Sequence, residues 1–385
     1  MQFEFATAGR IVFGDGALRE VAPAAKQMGE RALLATGCPQ ECAERLAEEL
    51  RGAGVSTVAF RVEGEPSIEL VRRGVELARE ARADLVISIG GGSAIDAGKA
   101  IAALLSNGGD VLDYLEVIGE GHGLRRSSAP CIAIPTTAGT GAEVTRNAVL
   151  ASPERGVKAS LRSPFLLPRL AVVDPELTYA LPPAITASTG LDALTQLIEP
   201  YVSLRANAMT DLFCLEGMRR AAGALVRACQ EGRDPAARRD MALASLLGGL
   251  ALANAGLGAV HGLAAPVGGM FPAPHGAVCA ALLPHAMEVN LRALQARAPA
   301  SDALARYATV ARTLTGNPGA AAEDGVTWVR RVCRELGIAP LAAYGVRSEH
   351  VPALVEKAFH ASSMKGNPVV LTPEELAELL KLGIA

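Results

Sequence analysis

Histidine is scarce in this 385-residue chain, six in all, and charge is thin, with a formal net charge of −3 and 20% charged residues. So small a net charge offers nucleic acid or an anionic membrane no electrostatic hold, and neither is expected as a partner. Seven cysteines (Cys38, Cys42, Cys131, Cys214, Cys229, Cys279 and Cys333) are odd in number and scattered, with no Cys-x-x-Cys. That speaks against a disulfide framework and fits a reduced, cytoplasmic protein. The start, Met-Gln-Phe-Glu-Phe, lacks the basic stretch and long apolar run of a secretory signal. Internal repeats and low-complexity linkers are also missing.

Charge vanishes altogether between Asp240 and Glu288. Inside that region Met241 to Val260 is long enough to cross a bilayer, which takes about 20 residues. Its Gly and Ala content, Ser245 and Asn254, and the histidines and prolines that follow point instead to a buried helix packed closely through small residues.

His261 and His275 both fall in this uncharged region, as does His285. Upstream, Asp192 and Gln196 stand four residues apart, so on a helix they share one face. Carboxylate and imidazole converging in an apolar interior form a divalent metal site with open positions. The plainer alternative makes Asp192 a helix cap and the histidines core residues. The phosphate-binding signatures below favour the metal site.

The first half alternates strand-like and helix-like runs. Arg31 to Thr36, Ser56 to Phe60 and Leu85 to Ile89 read as strands, and Gln40 to Gly52 and Ile68 to Arg82 as helices. Such alternation predicts a mainly parallel sheet covered on both faces. After Pro182-Pro183 the chain turns Ala- and Leu-rich with helical periodicity. The expected organisation is an α/β dinucleotide-binding domain over residues 1–180 and an all-helical domain over 181–385.

Two glycine-rich loops suggest a nucleotide. The strand ending at Ile89 runs into Gly90-Gly-Gly-Ser93, and a helical pattern resumes from Ala94 to Leu105. Strand, glycine turn and helix start together present free backbone N–H groups and a helix dipole to an anion. Ile95 occupies the third glycine position of G-x-G-x-x-G, and Ala100 follows Lys99 where a P-loop needs Ser or Thr, so neither standard fingerprint applies. The second loop, Pro135-Thr-Thr-Ala-Gly-Thr-Gly141, follows the strand Cys131 to Ile134 and suits a diphosphate and ribose. Either loop alone could be merely a tight turn, but two such loops at the ends of two strands of one sheet favour a nucleotide crevice.

Taken together, these stretches resemble the iron-containing (group III) alcohol dehydrogenases over nearly the whole chain. The matching motifs are Gly9-Arg-Ile-Val-Phe-Gly14, Gly90 to Lys99, Pro135 to Thr145, Asp174-Pro-Glu-Leu177, Gly190 to Thr195, His261-Gly-Leu-Ala, and Pro274-His275-Gly through Leu283-Pro-His285. The resemblance implies a dehydroquinate synthase-like architecture, an active site in the cleft between the two domains, NAD or NADP as cofactor, and a divalent metal, Fe²⁺ or Zn²⁺. It further implies a small-molecule alcohol or aldehyde substrate and a homodimer or higher homo-oligomer. By position, Gly91, Gly92 and Ser93 bind the cofactor diphosphate. Thr136, Thr137, Thr140, Thr145, Asn147, Lys158 and Leu177 line the ribose and nicotinamide, with Asp96 near the nicotinamide amide. Asp192, His261 and His275 match three of four metal ligands, and His285 matches a motif residue that is not one.

Three departures stand out. Gln196 takes the place of the fourth metal ligand, a histidine in the family, and an amide oxygen is a neutral and weaker donor. Ala265 stands where many members carry another histidine, so no proton relay runs through that side chain and no catalytic residue is assigned. Gly37 replaces the aspartate that NAD-preferring members hold against the ribose 2′-hydroxyl, which makes NADP admissible. The expected activity is hydride transfer between an alcohol and an aldehyde or ketone. The competing readings are a family member that has lost catalysis and a dehydroquinate synthase-like lyase.

Overall fold

Strand and helix propensities alternate from Ile11 to Val173, and the computed structural model, which describes residues 2–385, turns them into a parallel sheet. Residue 1 of the first expected domain lies outside the described residues. The chain divides into two compact units. One comprises Phe5–Thr137 and Gly141–Tyr179; the other comprises Ala180–Ala385, Ala138–Thr140 and the stretch that ends at Glu4.

The α/β unit runs β1 (Ile11–Phe13), α1 (Val21–Met28), β2 (Arg31–Thr36), α2 (Gln40–Gly52), β3 (Ser56–Arg61), α3 (Ile68–Glu80), β4 (Leu85–Gly90), α4 (Gly92–Asn107), α5 (Val111–Tyr114), β5 (Cys131–Pro135), β6 (Asn147–Ser152), β7 (Val157–Arg162) and β8 (Leu170–Val173). Among the described residues the main sheet has the order β1-β8-β5-β4-β2-β3, with every neighbouring pair parallel. Its middle strands are almost wholly apolar, with buried Ser88 of β4 as an interior exception, because helices cover both faces. Side-chain alternation then sorts the core. Leu34 and Ile87 pack with α1 and α2 on one face, while Leu33 and Val86 pack with α3 and α4 on the other.

Helix α2 has the bounds that its spacing predicts. Helix α3 stops short of Arg82, which adopts a left-handed φ of 51° and ends the helix. Helix α4 starts at Gly92, two residues before the expected Ala94, with Gly91 as its N-cap. The antiparallel hairpin β6–β7 had no expectation in the sequence. It turns through Gly156 at φ 58° and is tied to α4 where Asp96 Oδ2 accepts the Val149 N–H at 3.0 Å.

The helical unit runs α6 (Pro183–Val202), α7 (Ala208–Gln230), α8 (Pro235–Ala255), α9 (Ala259–Met270), α10 (His275–Arg297), α11 (Asp302–Thr315), α12 (Ala322–Glu335), α13 (Val351–Phe359) and α14 (Pro373–Ile384). Helix α6 is buried almost all round, as expected of a helix with apolar residues on every side. The uncharged stretch from Met241 to Val260 is not a single helix. It breaks at Gly256, which takes φ 72°, and α9 leaves α8 at 99°. No single helix among the described residues is long and apolar enough to cross a membrane.

Candidate metal centre and nucleotide loops

In the helical unit, four donor residues converge from three helices. Asp192 comes from α6, His261 from the first turn of α9, and His275 and Cys279 from the first turns of α10. One donor atom of each lies within 4.8 Å of all the others. Asp192 Oδ1 is 3.4 Å from His261 Nε2 and 3.8 Å from His275 Nε2. Cys279 Sγ is 3.9 Å from His261 Nε2 and 3.7 Å from His275 Nε2. Asp192 is buried at 1% exposure, and its Oδ1 has no hydrogen-bond partner. A buried carboxylate oxygen facing two imidazole nitrogens and a sulfur is a set of donors for a divalent cation.

Sequence reasoning missed Glu199, which organises this cluster. It lies seven residues after Asp192 on α6, hence on nearly the same face, a spacing that offered a signal. Its Oε2 is 2.7 Å from His261 Nδ1, and its Oε1 accepts the Val260 N–H at 2.7 Å. With Nδ1–H donating to the carboxylate, the Nε2 lone pair points toward the cluster, the usual support for a ligating histidine. The same carboxylate covers the N-terminus of α9, where Asn367 Oδ1 accepts the Ala259 N–H at 3.1 Å. A Cβ at Gly258 would stand 2.9 Å from Asn367 Oδ1 and 3.0 Å from Glu199 Oε1, so glycine is needed for this close approach. Asn290 completes the buried network, accepting from Asn367 Nδ2 at 2.7 Å and donating to Tyr307 Oη at 3.1 Å.

The titration of the cluster reflects its charges. Burial disfavours charging His261, yet Cys279, Glu199 and Asp192 together hold its pKa well above the ordinary histidine value. Burial likewise opposes charging of His275, and Cys279 and Asp192 outweigh it. For Asp192 burial pushes upward, but His275 and His261 prevail and leave the carboxyl low.

Gln196 lies one turn beyond Asp192 on α6, buried at 2%, and its Oε1 has no hydrogen-bond partner. Ala265, one turn after His261 on α9, carries no proton-transferring group. His285 is also on α10; burial, aided by Arg330, lowers its pKa, and its Nδ1 has no hydrogen-bond partner. The remaining histidines have local partners: His122 pairs with Glu120 at 3.2 Å, His350 Nδ1 accepts the Arg347 N–H, and His360 meets the Phe359 ring edge-on.

In the α/β unit, three neighbouring strands end side by side. Thr36 pairs with Ile89, and Gly90 pairs with Pro135, so Gly37, Gly90 to Ser93 and Thr136 to Thr137 all emerge at the carboxyl edge of the sheet. That edge is where open α/β sheets bind ligands. Gly90 has φ 155°, and a Cβ there would meet Gly37 Cα at 2.8 Å, so only glycine fits. Gly91, Gly92 and Ser93 open α4, with their N–H groups at its positive end. Thr137 lies beside Gly91, its Cγ2 3.5 Å from where a Cβ would be.

A second residue unforeseen in the sequence holds the other loop together. Lys99, buried at 1%, donates from Nζ to Ala142 O at 2.9 Å, to Thr145 Oγ1 at 3.0 Å and to Asn147 O. The same Nζ is 2.9 Å from Asp96 Oδ1. Thr145, Asn147 and Asp96 are thus brought together around one ammonium. Lys158 pairs with Glu65 at 2.9 Å, and Leu177 packs beside the core of α1 and α2. Thr140, with Ala138 and Gly139, belongs to the helical unit, where Gly139 is packed against Thr189.

A sheet with anion-ready loops at its carboxyl edge and a helical unit with a cation-ready cluster define a nucleotide-dependent enzyme of the dehydroquinate synthase-like fold. Residues 8–175 match the iron-containing alcohol dehydrogenase family, and residues 186–383 match the C-terminal region of the Fe-containing alcohol dehydrogenase family. The chain belongs to the iron-containing alcohol dehydrogenase family, oxidoreductases that act on CH–OH groups. Similar proteins include alcohol dehydrogenase 4 of Saccharomyces cerevisiae (strain YJM789), 35% identical over 96% of this chain and 95% of that protein. The NAD-dependent methanol dehydrogenase of Bacillus methanolicus is 34% identical over 96% of this chain and 97% of its own. Among solved structures, a 1,3-propanediol oxidoreductase superposes with a TM-score of 0.92 at 33% identity, covering 100% of both chains.

Proposed function

We propose that this alcohol dehydrogenase interconverts a small alcohol and its aldehyde or ketone, using NAD or NADP and a divalent cation held by Asp192, His261 and His275. The observation that carries the metal part of the reading is the convergence of those side chains within 4.8 Å. When bound, the cation would supply Lewis acidity at the substrate oxygen, and the nicotinamide would supply the hydride-accepting carbon. Asp192 contributes the anionic donor. Glu199 holds His261 in the tautomer whose Nε2 is free. The N–H groups of Gly91, Gly92 and Ser93 offer their dipoles to the cofactor diphosphate. Thr136 and Thr137 add hydroxyls beside them, and Lys99 shapes the loop that carries Thr145 and Asn147.

Cofactor choice turns on Gly37. It leaves the end of β2 without a carboxylate to repel a 2′-phosphate, and Arg61, which ends the neighbouring strand opposite Thr36 and donates to Cys38 O, sets a guanidinium beside it. NAD and NADP should therefore both serve. The name of the Bacillus methanolicus relative supports NAD. A soluble cytoplasmic homo-oligomer is the form proposed, in keeping with the seven free cysteines.

The test is a spectrophotometric screen of short-chain alcohols and aldehydes with each cofactor. It is run on metal-free protein and after addition of Fe²⁺ or Zn²⁺. Metal-dependent turnover of at least one substrate is expected. No turnover under any condition would support loss of catalysis instead.

A further inference from the structure

The fourth protein donor of the metal site has not been accounted for. Gln196 occupies the sequence position that the family resemblance reserves for it, yet an amide oxygen brings no charge. A dication in a site as buried as Asp192 is costly unless anions neutralise it. Asp192 supplies one negative charge. Among the donors themselves Cys279, coordinated as a thiolate with its proton released to solvent, supplies the second, while Glu199 adds a negative charge behind His261.

We propose that Cys279 Sγ, rather than Gln196, completes the metal site as an Asp192–His261–His275–Cys279 donor set. This rests on the metal reading above. The geometry carries it. Around a tetrahedral ion with bonds of about 2.0–2.3 Å, neighbouring donors are separated by about 3.3–3.8 Å. The separations here are 3.4 and 3.8 Å from Asp192 Oδ1 to the two imidazoles, and 3.9 and 3.7 Å from Cys279 Sγ to the same two nitrogens. Cys279 Sγ to His275 Nε2 falls inside that range and Cys279 Sγ to His261 Nε2 lies about 0.1 Å beyond it, so the sulfur stands where a small side-chain rotation brings it onto the same ion as the two imidazoles. Spacing accounts for the placement: His275 and Cys279 are four apart on α10, so one helix face presents both. A soft thiolate among two imidazoles and a carboxylate also favours zinc over ferrous iron.

The experiment uses the full-length protein, stripped of metal with a chelator and reloaded with Co²⁺, whose absorption reports its ligands. The wild type should bind one equivalent and show a sulfur-to-cobalt charge-transfer band in the near ultraviolet. Cys279→Ser should lose the band and at least about tenfold in zinc affinity, while Gln196→Ala should keep the band. Stoichiometric cobalt without the band in the wild type overturns the cysteine ligand. So does retention of the band in Cys279→Ser, or loss of metal in Gln196→Ala together with retention in Cys279→Ser. Cobalt stoichiometry unchanged by Asp192→Ala overturns the metal reading itself, a different result from an absent band in loaded protein.

Discussion

Replacing Glu199 with Gln tests whether the metal cluster depends on a carboxylate that is not one of its donors. The wild-type side chain has two acceptors for two donors, Val260 N–H and His261 Nδ1–H, each at 2.7 Å. Glutamine keeps the shape but has one acceptor and one NH₂ group. If its oxygen stays on Val260, the NH₂ faces His261, and the ring must place its proton on Nε2 for Nδ1 to accept. The nitrogen that faces Asp192 at 3.4 Å then loses its lone pair. If the amide turns the other way, the N–H at the start of α9 is left buried and unpaired, at about 1–3 kcal/mol. Outer hydrogen-bond partners of ligating histidines typically change metal affinity roughly 10- to 100-fold. Zinc affinity should therefore fall by about that factor, measured by competition with a chromophoric chelator. The metal-free variant should melt roughly 2–10 °C lower by circular dichroism. Zinc affinity equal to wild type, with only the melting point lowered, would refute the orienting role and leave Glu199 as a helix-capping residue alone.

Three further outcomes are expected. His275→Ala should abolish metal-dependent turnover while leaving NAD and NADP binding by fluorescence titration unchanged, and undiminished turnover would sink the metal mechanism. Gly37→Asp should weaken NADP relative to NAD by on the order of 1–3 kcal/mol through like-charge repulsion. A Cβ at residue 37 also meets Ala94 Cβ at 3.0 Å, so Gly37→Ala is the control for crowding, and a kcat/KM ratio that moves equally in both variants would remove charge from the explanation. Glu143 is buried, and burial, only partly offset by its own backbone N–H and Lys99, lifts its pKa from 4.5 to about 7. The folded state then holds a proton that the unfolded state has released, so this residue lowers stability as pH rises from 4.5 through 7, by on the order of 3 kcal/mol at the plateau. Glu143→Gln should raise the melting point at pH 8 and leave it nearly unchanged at pH 4, and an equal shift at both would show that ionisation is not the cause.

Much of the α/β unit was legible because its determinants are local. The bounds of α2 follow from the spacing of Leu46 and Leu50 among charged residues, and β4 from an apolar run that ends in glycines. Asp192 stood out by its helical spacing from Gln196, and His261 and His275 by residue type and by the absence of charge around them. The two candidate nucleotide loops are visible as glycine turns, while the sequence shows Lys99 only as the end of a motif and the residue before Ala100, with no sign that it clamps the second loop. The hairpin β6–β7 escaped notice because its strands depend on pairing with each other and on anchoring to α4 through Asp96.

What tertiary structure alone decided is which distant residues share a point in space. Met241 to Val260 has the composition of one helix. The chain nevertheless turns at Gly256 because the N–H groups of a new helix find their acceptors on Glu199 and Asn367, far off in sequence. That turn delivers His261 to Asp192. Glu199 and Cys279 each stood at a helical spacing from a recognised donor, seven residues from Asp192 and four from His275. Spacing on one helix places a residue on a face but leaves open what that face meets. Burial against α9 made one a support for His261 and the other a neighbour of both imidazoles, because a low-dielectric interior leaves charged and polar groups only one another as partners.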